Sequence, residues 1–117
     1  MRETRTGGVG LVYEYRVYEA MPGKTGALHA RFRNETMALF GKHGFRVVGF
    51  WEPVTGANNE LHYILAWEDL AERDRIWAAF QGDPAWQKAR QESERDGVLT
   101  GRIHVQIWKP TDYSPLR

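Results

Sequence analysis

There is no cysteine in this chain. That removes disulfides, zinc-thiolate sites and thiol nucleophiles together, and it is compatible with a reducing compartment. No apolar run approaches the length needed to cross a bilayer, and the opening MRETRTGGVG has charge but no apolar segment of the kind a signal peptide requires. The expectation is a cytoplasmic protein with no integral membrane segment. A charge imbalance is missing too: sixteen Lys and Arg stand against fifteen Asp and Glu, a net charge of +1, with signs that alternate locally as in Glu72, Arg73, Asp74 and Arg75. Without a basic stripe to neutralise phosphates, nucleic acid is not an expected partner. Neither a His-x-His nor a His-x-x-x-His spacing occurs, so no metal is expected. Gly8-x-Gly10 leads into a strand instead of bridging strand to helix, and Ser93 and Ser114 occupy no nucleophile elbow. No cofactor of any kind is expected.

Aromatic residues are what the chain has in quantity, at 13% of its 117 positions. They recur at every second residue in two strand-like stretches, Tyr13, Tyr15 and Val17 in LVYEYRVYE and Tyr63, Leu65 and Trp67 in LHYILAW. A face built of such rings suits either an ordinary core or the wall of a pocket for a flat organic ligand. Residues 1–10, polar and glycine-containing, read as a flexible tail, and 11–117 as one domain, long enough to bury roughly 65% of its unfolded surface.

Periodicity and punctuation give the element order. A strand from about Leu11 to Glu19 is broken by Met21-Pro22-Gly23, and a helix follows to His43, with Gly44 as its stop. A strand from Phe45 to about Pro53, the turn Thr55 to Asn59 and a strand from Leu61 to Trp67 form a hairpin. Asp69 caps a second helix with Glu72 in capping-box position. Asp83-Pro84 restarts it after Gly82, and a last strand runs from Arg102 to Lys109. The order βαββαβ is the α+β, ferredoxin-like plan: a four-stranded antiparallel sheet with both helices on one face. By alternation the other face carries Val12, Glu14, Arg16, Tyr18, Val48, Phe50, His62, Ile64, Ala66, His104 and Gln106. Too apolar for open water and too polar for a dry core, it is expected to pack on a second copy, so that two sheets close into a barrel.

The segments YEYRVY, PGK, FGKHG, VGFW, the Gly56-Ala57-Asn58-Asn59-Glu60 turn, ILAWEDLAERD, WAAF, DPAW and PTDYSPL, in this order and spacing from Tyr13 to Leu116, resemble the NIPSNAP family of dimeric α+β-barrel proteins. The resemblance implies fold and dimer more than activity. Neighbouring families on the same barrel include cofactor-free oxygenases of aromatic polyketides, haem-degrading monooxygenases and lactone isomerases, and sharing a fold with them is analogy. A vesicle- or membrane-associated role is also sometimes attributed to the family. The chain departs from the family pattern at Glu35, where many members carry His, so a role tied to an imidazole there does not transfer.

Projected on a helix from Leu28, the residues Phe32, Glu35 and Leu39 share one inward stripe. Glu35 is then either half of a structural ion pair with Arg73, on the inner face of the second helix, or a carboxyl at a pocket mouth acting as proton acceptor. Tyr15, Phe32, Trp51, Tyr63, Trp67 and Trp77 would line the same space, as core or as pocket. If the protein is an enzyme, Glu35 is the expected base, Tyr15 or Tyr63 the hydrogen-bond donor, and Arg73 the tuner of Glu35. Glu14, Arg16, His62 and His104 are expected on the barrel-facing side, fixing dimer register or forming an interfacial site. Two functions follow: a homodimer binding a flat, largely apolar metabolite between sheet and helices, with or without cofactor-independent acid–base chemistry, and a non-catalytic interaction module with a filled interior.

Overall fold

The computed structural model describes residues 11–116; the expected amino-terminal tail, residues 1–10, and Arg117 lie outside the described residues. Strand β1 (Val12–Ala20) is followed by one long helical segment, made of α1 (Thr25–Arg31), a π-helical turn (Phe32–Thr36) and α2 (Met37–His43). Then come β2 (Arg46–Trp51), β3 (Glu60–Trp67), α3 (Leu70–Gln81), α4 (Pro84–Ser93) and β4 (Thr100–Trp108). The strands form one antiparallel sheet in the order β2-β3-β1-β4. This is the expected ferredoxin-like arrangement. Among the described residues no helix is long and apolar enough to cross a membrane.

Local chemistry sets the element ends where the sequence places them. Gly44 takes φ +84° after α2, and the Phe45 N–H reaches back to the Phe40 carbonyl at 2.9 Å, which stacks the two rings 4.1 Å apart. Asp69 accepts from the Glu72 N–H at 2.8 Å, and Glu72 in turn accepts from the Glu68 N–H at 2.7 Å. Asp83 accepts from the Ala85 N–H at 2.8 Å with Pro84 in the first turn of α4. The Asp83 carboxyl is held below the usual range by hydrogen bonds from Lys42 and His43, and it ties α4 to the end of α2.

The core lies between the sheet and the helices. Its buried members include Tyr18, Leu28, Phe32, Phe40, Tyr63, Leu65, Trp67, Trp77 and Phe80. Three expected orientations are corrected, each by one residue. On β1 it is Glu14, Arg16 and Tyr18 that face the helices, while Tyr13, Tyr15 and Val17 face away. Cross-strand pairing decides this: Arg16 sits opposite Tyr63 and Glu14 opposite Leu65, and directly opposed residues share a face. On β2 a bulge between Val47 and Gly49 inserts a residue, so Val47 packs toward the core before it and Phe50 after it. Trp51, expected inside, is therefore on the outer face and 51% exposed. Gly49 leaves room for its ring, since a Cβ there would lie 2.8 Å from it and push it aside.

The third correction concerns the long helix. Between Phe32 and Thr36 the winding loosens to π, with the Met37 N–H donating to the Phe32 carbonyl. That extra residue per turn rotates everything after it. The inward stripe becomes Leu28, Phe32, Thr36 and Phe40, and Glu35 points to solvent.

Candidate ligand-binding site

A cavity of about 820 Å³ opens between the sheet and the helices, in the range that small-molecule sites occupy. Its floor is β1 and β4, through Arg16, Tyr18, Thr100 and Ile103. One wall is the π turn with Arg31, Phe32 and Thr36, and the other is Trp77, Phe80, Trp86, Arg90 and Glu94 from α3 and α4. The helices leave the inner side of β4 uncovered, which is why Ile103, Val105 and Ile107 stay 40–42% exposed and the cavity has a mouth there.

Behind the floor lies Glu14, whose side chain is 0% exposed. Its Oε1 accepts from Arg73 Nε at 2.9 Å, Trp67 Nε1 at 2.9 Å and Trp77 Nε1 at 3.0 Å, and its Oε2 from Arg16 Nη1 at 2.7 Å and Arg73 Nη2 at 3.1 Å. Burial alone would push this carboxyl up, but the bonds from Arg73, Trp77 and Arg16 outweigh it and hold the group below its ordinary value. Five donors commit both oxygens. Glu14 is therefore an ionised strut that aims Arg16 and Trp77 at the cavity, with no lone pair left for taking a proton from a ligand. The Arg16 guanidinium also lies 4.6 Å over the Trp77 ring and 3.5 Å from the Tyr18 hydroxyl.

Tyr18 and Tyr63 hydroxyls meet at 3.0 Å. Burial pushes the Tyr63 hydroxyl well above its usual 10, so Tyr63 stays neutral. Across the cavity, Arg31 Nη1 donates to Ser93 Oγ and to Glu94 Oε2, both at 3.2 Å, and its guanidinium lies 5.3 Å from the Trp86 ring. Among the described residues four buried side-chain polar groups have no hydrogen-bond partner: Arg16 Nε, Arg31 Nε, Thr36 Oγ1 and Arg46 Nε. Three of the four belong to residues that border the cavity.

Of the residues singled out from sequence, Phe32, Trp77 and Arg16 line this cavity, the last against expectation. Tyr63 and Trp67 lie in the core beside it, fully buried. Arg73 does pair with an inward carboxylate, but the partner is Glu14 and not Glu35. Tyr15, His62 and His104 are on the outer face of the sheet, where the Tyr15 hydroxyl lies 2.7 Å from His62 Nδ1, His62 Nε2 lies 2.9 Å from Glu60, and His104 Nε2 lies 2.6 Å from Glu19. Trp51 borders a separate hollow of about 290 Å³ with His29, Met37 and Glu52, which Phe32 also touches.

Sequence reasoning missed Arg31, Thr36, Trp86, Arg90 and Glu94. A signal existed for Arg31, which falls three residues after Leu28 on the inner side of α1, and for Trp86, Arg90 and Glu94, which repeat every fourth residue along α4. Thr36 had none, because it depends on the π turn.

Sheet order, helix placement and a ligand-sized cavity on the helix side define an α+β protein of the ferredoxin-like class. The chain belongs to the NIPSNAP family, whose model matches residues 13–115. No curated protein matches the sequence. Among solved structures, a NIPSNAP family protein of unknown function from Agrobacterium tumefaciens is 27% identical, with a TM-score of 0.82 over 94% of this chain and 96% of that one. A second NIPSNAP family protein from the same organism is 22% identical (TM-score 0.82, covering 92% and 99%). An uncharacterized NIPSNAP-like domain protein from Burkholderia xenovorans is 24% identical (TM-score 0.80, covering 92% and 90%). These last two share the fold.

Proposed function

We propose that this protein is a small-molecule-binding homodimer, one flat and largely apolar ligand entering each cavity between sheet and helices. The observation that carries the reading is the cavity itself, bordered by Phe32, Phe40, Trp77, Phe80 and Trp86 together with polar groups that have no partner among the described residues. A filled interior would have favoured an interaction module with its working surface outside.

Binding takes precedence over catalysis for a chemical reason. The one fully buried carboxylate among the described residues, Glu14, is saturated by donors, the phenol of Tyr63 is held neutral, and Glu35, the expected base, lies outside on the solvent side of the helix. What the cavity offers is shape, rings and fixed donors.

The dimer rests on the outer face of the sheet. Trp108 is 40% exposed there and stacks on Tyr15 at 4.6 Å, Ile64 lies opposite Tyr15 on β3, and Trp51 stands exposed on the far edge strand. The polar groups on that face are bonded within it, His62 with Glu60 and His104 with Glu19, so the face suits a second copy of itself.

The test is calorimetric titration with 2-naphthamide, a flat neutral probe, against the wild-type chain and Thr36→Phe, which puts a ring into the cavity from the π turn. Saturable binding of one probe per chain that is lost in T36F is expected. Equal binding in T36F would place the probe elsewhere and overturn the reading.

A further inference from the structure

The cavity is bordered by three guanidinium groups, those of Arg16, Arg31 and Arg90, and among the described residues by one carboxylate, that of Glu94. Glu94 is shared, at 3.2 Å from Arg31 and 3.7 Å from Arg90. Behind the floor Glu14 bonds Arg16 at 2.7 Å, while its other partner, Arg73, also meets Asp74 at 3.0 Å. Three guanidinium groups thus meet two carboxylates, and one positive charge is left over on the walls of a partly enclosed space, where screening by water is weaker than at an open surface.

Unused hydrogen-bonding capacity sits on desolvated groups of the same wall. The Arg31 side chain is 6% exposed, its contacts use Nη1, and its Nε has no partner. Thr36, 2% exposed, keeps a hydroxyl without a partner on the same cavity wall. In an α-helix residues five apart point in different directions, but the π turn between Arg31 and Thr36 takes more residues per turn and brings them onto one side. Such turns carry a cost in helix geometry and cluster at functional sites. The rings lie around the same space: Arg31 rests on Trp86 and Arg16 on Trp77.

Building on the binding function above, we propose that the ligand is an aromatic anion, a flat ring system bearing a carboxylate or a similar oxyanion. Its ring lies among Phe32, Trp77 and Trp86, and its charged end is held by Arg31 with the Thr36 hydroxyl as a further donor, Arg16 adding its field from the floor. Planar guanidinium groups suit this task because they pair with an oxyanion through parallel N–H bonds and tolerate partial dehydration.

Two probes of the same shape separate this inference from the one it rests on. Calorimetry of the full chain near neutral pH compares 2-naphthoate with 2-naphthamide. The anion is expected to bind about tenfold tighter or more, the scale of one charge-assisted hydrogen bond. That preference falls toward parity in Arg31→Gln and is retained in Arg31→Lys. Should R31Q not fold, Arg90→Gln, at a side chain 63% exposed, lowers the preference by a smaller factor. Equal affinity for the two probes, or a preference unchanged in both neutralised variants, overturns the anion inference and leaves the cavity as a site for neutral rings. Binding of neither probe overturns both.

Discussion

Glu14 and Arg73, fifty-nine residues apart, meet fork to fork, Nε to Oε1 at 2.9 Å and Nη2 to Oε2 at 3.1 Å. This pair joins the central strand to α3 and, with the two indole N–H groups of Trp67 and Trp77, makes a charged centre inside an aromatic core. Replacing Glu14 by Gln keeps the shape but strands the guanidinium groups of Arg16 and Arg73 beside a neutral amide. Removing one partner of a buried pair costs about 3–5 kcal/mol. Urea denaturation of E14Q is expected to report a loss of that size.

The same pair sets a pH dependence. Because the folded-state pKa of Glu14 is held below its ordinary 4.5, its contribution to stability is fully present above that value and is lost as the pH falls through the folded-state pKa. Wild-type protein is thus expected to lose stability as acid is added below the usual carboxylate range, and E14Q to show a shallower decline over the same window. Thermal denaturation across an acid pH series measures both.

At Thr36 a hydroxyl is buried without a partner, which costs free energy that an isosteric methyl would not. Thr36→Val is expected to stabilise the free protein by about 1 kcal/mol, a rise of about 4 °C in melting temperature. The same variant is expected to bind 2-naphthoate more weakly than wild type. A gain in stability coupled to a loss in affinity is the signature of a group kept for a ligand.

Glu35 lies in solvent, and its replacement by Ala is expected to change stability by no more than about 0.5 kcal/mol and to leave probe affinity unaltered. Denaturant titration and calorimetry on E35A check this.

On the outer face of the sheet, Trp108→Glu sets a charge against its own copy across the proposed two-fold interface. Light scattering is expected to find a dimer for wild type and a monomer for W108E, with the far-ultraviolet dichroism of the folded sheet retained.

Much of the fold could be read directly from the chain, because its signals are local. Gly44, Asp69 and Asp83-Pro84 mark helix ends through backbone chemistry that neighbours supply, and the strand order follows from element order. What could not be read was the direction in which particular side chains point. On β1 both alternating sets hold tyrosine and valine, so period two does not choose between faces, and pairing with β3 decides. In β2 and in the long helix, a single inserted residue, a bulge in one and a π turn in the other, reverses or rotates all that follows. Glu35 was expected inside because an unbroken 100° step puts it there, and Thr36 takes its place because the step is broken. The idea of an inward carboxylate held by Arg73 had the right chemistry and the wrong residue. The cavity rim on α4 was readable as a four-residue repeat of Trp86, Arg90 and Glu94, but nothing local says that this stripe faces Arg31 across open space.

The most direct test uses the five tryptophans as reporters, since their indole N–H groups are divided among the cavity, the core and the outer face. In nitrogen-edited NMR of the full chain titrated with 2-naphthoate, the indole signals of Trp77 and Trp86 are expected to shift together and saturate, while those of Trp51 and Trp108 hold still. Shifts confined to Trp51 or Trp108 would put the ligand on the outer face of the sheet and contradict the account.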